Sequence, residues 1–394
     1  MIKTLGHAPS GWKAFTLGDL FDFSNGINAE KSAYGHGTPF VNVLEVITNY
    51  SLDESLIPGR IGLPQSFLSR FRVQRGDVLF NRTSETQDEV GLSSTYLGTE
   101  PIVFGGFVLR GHPKTAELAI SYSKYALRCH LVRVQIIARG QGGIRANIGQ
   151  RDLKTVQLTI PPVPEQESIA SALDDASGAI ATLERLIAKK EAVKQGMMQQ
   201  LLTGRTRLPG FESPWSARRL SELLSYEQPG RFLVRTAQHL DSGRVPVLTA
   251  GKTFLLGYTN DTDGIYTAHP VIIFDDFTTA SQYVDFDFKA KSSAMKILSA
   301  KTGVNLRFVH ERMQLIDFPL GDHKRYWISE YSQQVLLVPS EEEQKAIADV
   351  LTQADLELAT VRRRLNKAKS VKQGMMQELL TGRIRLPAED VVPR

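Results

Sequence analysis

The chain has 394 residues, 42% of them hydrophobic and 23% charged, with 31 Gly and 18 Pro. That length exceeds one ordinary core, and that balance excludes disordered, collagenous and disulfide-stapled classes. Forty-seven Lys plus Arg against 42 Asp plus Glu leave a formal charge of +5, which permits a polyanionic partner such as nucleic acid without demanding one. No run approaches the ~18 apolar residues of a membrane span, and the first ten residues lack a signal peptide's apolar stretch. The single Cys129 can build neither an intrachain disulfide nor a Cys-based zinc site, so a reducing, cytoplasmic setting without membrane contact is expected.

In chain order, residues 1–160 read as α+β. Short β-rich runs at 40–46, 78–80 and 101–109 are followed by a helical stretch at 115–134. Residues 161–209 read as a long helix. The apolar positions Ile169, Leu173, Ala176, Ile180, Leu183 and Ile187 step by four and three, the pattern of a heptad seam. The seam loses phase at Lys190, and Val193, Met197 and Leu201 resume an apolar face. A helix over 164–203 is about 60 Å long at 1.5 Å per residue. Residues 210–338 are again α+β, with a strand at 271–274, and residues 339–394 form a second long helix and tail. Its seam is Ile347, Leu351, Ala354, Leu358, Val361 and Leu365, resumed by Val371, Met375 and Leu379.

The two helical segments are copies. Residues 193–209 and 371–387, offset by 178, differ only at Gln200/Glu378 and Thr206/Ile384. At the same offset Glu165-Gln166 falls on Glu343-Gln344. A weaker echo near the start of each half matches Trp12, Leu17 and Leu20 to Trp215, Leu220 and Leu223 at an offset of 203, so the intervening segment is 25 residues shorter in the second half. Pro164 and Pro339-Ser340 suit helix starts, and Gly204 and Gly382 suit helix ends, with Arg205, Arg207, Arg383 and Arg385 beside the negative termini. Two such helices in one chain are most simply satisfied by packing together as an antiparallel coiled coil, which gives the whole a pseudo-two-fold internal repeat.

The variable segments place basic and amide residues beside glycines. These are Asn81, Arg82 and Thr83, then Arg139, Gln141, Arg145 and Asn147; the second half offers Lys289, Lys291, Lys324, Arg325 and Tyr326. Arg, Asn and Gln read guanine and adenine edges bidentately, and glycines admit backbone N–H groups to phosphates, so these residues are the candidate DNA contacts.

The alternation of two dissimilar segments with two near-identical helices, the Pro-Glu-Gln and Glu-Glu-Gln helix starts and the Lys-Gln-Gly-Met-Met-Gln…Leu-Leu-Thr-Gly ends resemble the specificity subunit of type I restriction-modification enzymes. The stretches 76–82, 273–278, 283–286 and 291–295 also resemble target recognition domains of that family. The resemblance implies that residues 1–160 and 210–338 are target recognition domains, each reading one half of a bipartite, asymmetric duplex DNA target. The shared helices fix the gap and dock two methyltransferase (modification) subunits. Those partners carry S-adenosylmethionine, and restriction subunits add ATP- and Mg-dependent chemistry; this chain needs no cofactor.

Catalytic signals are thin. Gly251-Lys252-Thr253 lacks the upstream glycine of a phosphate-binding loop, because Pro246 stands there. The eight histidines (His7, His36, His112, His130, His239, His269, His310, His323) show no metal-binding spacing, and the motifs of an adenine methyltransferase are absent. The best enzyme alternative is a metal-dependent nuclease built on Asp275, Asp276, Asp287 and Lys289. A coiled-coil scaffold that touches no DNA is the other. The preferred reading has no catalytic residue and no metal.

Overall fold

The computed structural model describes residues 9–142, 145–236, 238–251, 253–320 and 325–386. Lys252, Lys324, His7, His323 and the residues from 387 onward lie outside them. The chain divides into two compact units, Met1–Thr182 with Arg364–Arg394, and Leu183–Arg363.

In the first unit a five-stranded sheet runs in the order Phe21–Asn25, Val108–Pro113, Val78–Asn81, Ser93–Tyr96, Ser51–Leu52. A three-stranded sheet holds Tyr34–Val41 between antiparallel Arg60–Ile61 and parallel Val103–Phe104. The second unit repeats this plan. Its four-stranded sheet runs Leu224–Glu227, Met295–Ala300, Val271–Asp275, Ser281–Val284, and Val245–Leu248 lies between antiparallel Leu255–Thr259 and parallel Lys289–Ala290. Two α+β segments without visible sequence similarity thus share strand order and sense.

The central strands show why unlike sequences suffice. Val78 and Phe80 enter one core while Leu79 enters another; Ile272 and Phe274 enter one while Val271 and Ile273 enter another. A continuous apolar run buried on both faces is all that such a strand requires.

Both long helices form as the heptads predict, over Val163–Leu201 and Glu341–Leu379, 39 residues each. In the first unit Ile169 and Leu173 pack in one core with Leu379 and Leu380; in the second Met198 and Leu201 pack with Ile347 and Leu351. Within each unit the start of one helix therefore lies against the end of the other, in antiparallel sense. Leu358 and Val361 are also buried, while Ile180, Leu183, Ile187 and Leu365 are half-buried.

The repeated residues have repeated tasks. Gln166 Oε1 accepts the Ala119 N–H at 2.8 Å, and its Nε2 donates to the Pro161 carbonyl at 2.8 Å; Gln344 does the same to Asn305 and Pro339 at 2.9 and 3.0 Å. Each glutamine so ties its helix start to a short helix of its own unit, Ile120–Ala126 or Leu306–Met313. Gly204 and Gly382 end the helices at φ +71° and +70°, and each lies against the indole of Trp215 or Trp12.

Four expectations change. Val193 and Val371 do not resume the apolar face, for both are more than half exposed. Continuing the four-three step from Ile187 and Leu365 leads instead to Lys194 and Lys372. Lys194 Nζ pairs with Asp355 Oδ1 at 2.6 Å, and Lys372 Nζ lies over the Tyr50 and Tyr125 rings at 4.6 and 5.5 Å, where burial pushes its pKa down. The run 40–46 is not one strand, because the Asn42 N–H donates to Glu45 Oε2 at 2.8 Å and opens the helix Val43–Thr48. The run 101–109 breaks into two strands around a turn at 105–107. The stretch 115–134 breaks into Ile120–Ala126 and His130–Arg139, because Cys129 is extended (φ −66°, ψ 153°).

Candidate nucleic-acid interface

Each unit carries three loops at one end of its central sheet, stitched by the same backbone hydrogen bonds. The Arg82 N–H donates to the Phe107 carbonyl at 2.8 Å, and the Arg82 carbonyl accepts the Ile148 N–H at 3.0 Å. In the second unit the Asp276 N–H donates to the Ala294 carbonyl at 3.1 Å, and the Asp276 carbonyl accepts the Tyr326 N–H at 2.9 Å. The loop after the central strand, the loop before the next sheet strand and a later third loop therefore occupy corresponding places.

Most residues singled out by chemistry fall on these loops. Arg82 is half-buried, with Nη1 donating to the Gly106 carbonyl at 3.4 Å. Thr83 and Asn147 face each other across a two-stranded ladder of Thr83–Ser84 with Ala146–Asn147, and Thr83 Oγ1 donates to Asn147 Oδ1 at 2.6 Å. Gln141 exchanges backbone bonds with Asn147 at 2.9 and 2.8 Å, and Arg145 extends outward with its guanidinium 3.7 Å from Glu85. In the second unit Lys291 is half-buried, and the exposed Arg325 guanidinium lies 5.8 Å from the ring centroid of the exposed Phe277. Such a rim of exposed Arg, Gln and aromatic side chains over backbone fixed by ladder bonds suits contact with base edges and phosphates.

Other candidates are placed elsewhere or turned inward. Asn81 is fully buried, its Nδ2 donating to the Glu89 carbonyl at 3.0 Å. Tyr326 is buried in the second unit's core. Lys289 is buried, its Nζ 2.9 Å from Asp261 Oδ2 and donating to the Asp263 carbonyl, and its bond to Asp261 holds that carboxyl below the usual carboxylate range. Arg139 folds back at the end of its helix onto Thr155 Oγ1 at 2.9 Å and the Gln135 carbonyl at 2.8 Å. These four serve the interior or the backbone of their units.

The nuclease constellation does not assemble. Asp276 is buried in an ion pair with Lys296 at 3.0 Å and accepts the Trp327 N–H at 2.8 Å. Asp275 Oδ1 accepts the Phe277 and Thr278 N–H groups at 2.9 Å each, and Asp287 lies 3.3 Å from His269. Each carboxylate is committed to its own local partner. Among the described residues no cluster of three or more His, Cys, Asp or Glu side chains could hold a metal ion, and no helix is long and apolar enough to cross a membrane.

Sequence reasoning missed Asn28, Leu44 and Phe107, which border the first unit's loops. Their signal was faint. Gly105-Gly106-Phe107 reads as strand until the turn is seen, and Leu44 lies in the β-rich run 40–46 until the helix Val43–Thr48 exposes it.

The sequence profile of the type I restriction modification DNA specificity domain matches residues 9–193. The chain is 51% identical over 138 residues to the Escherichia coli type I restriction enzyme EcoR124I/EcoR124II specificity subunit, a match that spans 34% of each chain. It is 24% identical over 412 residues to the putative type I restriction enzyme MjaX specificity subunit of Methanocaldococcus jannaschii, spanning 97% of this chain and 96% of that one. Among solved structures, the S subunit of a type I restriction-modification system from M. genitalium superposes with a TM-score of 0.59 at 16% identity, covering 95% of this chain and 98% of that one. The HsdS subunit of Thermoanaerobacter tengcongensis gives 0.53 at 15% identity, covering 98% and 100%. These two likenesses are of fold. The chain is thus similar to the specificity subunits of type I restriction-modification systems, by the profile over residues 9–193 and by its relatives, and it shares the fold of solved S subunits.

Proposed function

We propose that this chain is the non-catalytic, DNA-reading subunit of a type I complex, with each unit reading one half of a bipartite, asymmetric target. The observation that carries the reading is the pair of three-loop ends, alike in backbone hydrogen bonding and unlike in side chains. Two different readers in one chain suit a split, non-palindromic site, whereas a symmetric dimer suits a palindrome. The long helices act as the ruler between the halves. Their exposed faces, with the matching Gln166 and Gln344 ties at their starts, offer two equivalent docking places for two methyltransferase subunits. S-adenosylmethionine belongs to those subunits, and ATP and Mg to the restriction subunits that complete the assembly in the cytoplasm.

The ruler is tested by inserting seven residues between Ile180 and Leu183 and seven between Leu358 and Val361. One heptad adds about 10 Å of helix, or about three base pairs of duplex. Methylation mapping of the complex should return both half-sites unchanged with a gap wider by that amount. An unchanged gap removes the helices as the ruler, and a palindromic motif removes the two-reader account.

A further inference from the structure

We propose that Asn28, Leu44 and Phe107 form a reading patch for an A·T base pair in the half-site recognised by the first unit. The inference rests on the DNA-reading function proposed above and names a contact within it. The three side chains border one cleft, floored by Phe40 and Gly106. Phe107 is 60% exposed and Leu44 is 64% exposed, yet the backbone under both is fixed. The 105–107 turn is held by Gly105 N–H to the Val41 carbonyl at 3.0 Å and Gly106 N–H to the Ile27 carbonyl at 2.8 Å, with Arg82 bonded to it from the other side. A Cβ at Gly106 would come within 2.0 Å of Asn28 Oδ1, so the glycine is what lets the Asn28 amide lie against the turn. The helix that carries Leu44 is fixed at its start by Glu45 and at its end by Arg128, whose Nη2 donates to the Val46 and Asn49 carbonyls at 2.5 and 2.7 Å.

Large apolar side chains exposed on a rigid frame make a preorganised contact, because little freedom remains to be lost on binding. The chemistry selects the occupant. No charged side chain lines the cleft, so neither a phosphate nor an arginine-read guanine fits it. A carboxamide pairs bidentately with adenine N6 and N7, and apolar side chains contact the thymine 5-methyl group. Arg82 Nη1 donates to the Gly106 carbonyl at 3.4 Å, so the patch adjoins the loop rim and a duplex lying along that rim would present a base pair to it.

The test uses the full chain in complex with its methyltransferase partner. Methylation mapping first gives the two half-sites. Duplexes carrying that motif are then made with each thymine of either half replaced in turn by deoxyuridine, which removes only the 5-methyl group. One replacement, confined to one half, should weaken binding of the unaltered complex about fourfold, the worth of one buried methyl group. The same replacement should cost the Phe107→Ala complex nothing, and Asn28→Ala should relax selectivity at that base pair about tenfold or more. The inference is overturned by a first half-site indifferent to deoxyuridine, by both variants returning the motif unaltered, or by equal losses in both halves. A complex that methylates no split motif overturns the DNA-reading function itself, a result distinct from the other three.

Discussion

Arg207, beyond the end of the first long helix, donates from Nε and Nη2 to the two carboxylate oxygens of Glu343 at 2.5 and 2.6 Å, at the start of the second helix and 136 residues along the chain. Arg385 does the same to Glu165 at 2.5 and 2.7 Å, 220 residues away. Each guanidinium also lies against a tryptophan ring, Trp215 at 5.7 Å and Trp12 at 5.8 Å. Both carboxylates are buried, so each clasp is a two-pronged ion pair that closes one helix end onto the other helix start within its unit.

Removing one partner should therefore destabilise that unit alone. Arg207→Ala strands the buried Glu343 carboxylate and should lower the melting temperature of the second unit. Arg207→Lys should restore only part of the loss, because an ammonium cannot make two parallel bonds and stacks poorly on Trp215. In a double-mutant cycle, adding Glu343→Gln to Arg207→Ala should cost less than the two single changes together. Strict additivity would show that the clasp carries no coupling.

The seam makes a contrasting pair of forecasts. Leu351→Ala and Leu173→Ala empty fully buried sites and should each cost about 2–5 kcal/mol in urea unfolding. Val193→Ala and Val371→Ala, at exposed positions, should change stability by about 0.5 kcal/mol or less. Equal losses at all four would contradict a seam that passes through the leucines and leaves the valines in solvent.

The buried His310 gives the second unit an acid-sensitive term. Burial first, and the nearby Arg307 next, push its pKa from 6.5 down to about 4; Lys194 adds to this and Asp355 opposes it. Between those two values the unfolded chain binds the proton and the folded chain does not, so stability rises with pH across that window and falls as pH drops from 6.5 toward 4. The loss amounts to about 3 kcal/mol at the acid end. His310→Gln should flatten this slope, measured as the urea midpoint of the second unit against pH. A slope unchanged by the substitution would assign the acid loss to other groups.

Arg145 and Arg325 stand at corresponding loops of the two units, both exposed. Arg145→Ala should relax one half of the methylated motif and leave the other intact, and Arg325→Ala should do the converse, each by about 1–3 kcal/mol where the side chain reads a base. Either substitution altering both halves would contradict one reader per unit.

Much of this molecule is written in its sequence at two length scales. The repeat and its four-three apolar steps state the long helices almost to the residue, since a helix needs only its own periodicity and caps. The clasps are not stated there. Arg207 and Arg385 look like ordinary helix-end charges, because their carboxylate partners lie far along the chain and no local pattern joins them. Val193 looks like a seam residue until Lys194, one position on, is seen paired with Asp355. The common plan of the two units was invisible because what Arg82 and Asp276 share is a pair of backbone hydrogen bonds, which constrain no side chain. The candidate interface was therefore legible as a set of loops, while Asn81, Lys289 and Tyr326 turned inward and Asn28, Leu44 and Phe107 emerged only with the turn at 105–107.

The most direct test of the central claim is single-molecule methylation sequencing of DNA from cells that co-express this chain with a partner methyltransferase, beside cells that express either alone. The account predicts a split, asymmetric methylated motif that appears only on co-expression. A motif written by the methyltransferase alone, or no motif despite a stable complex, would contradict it.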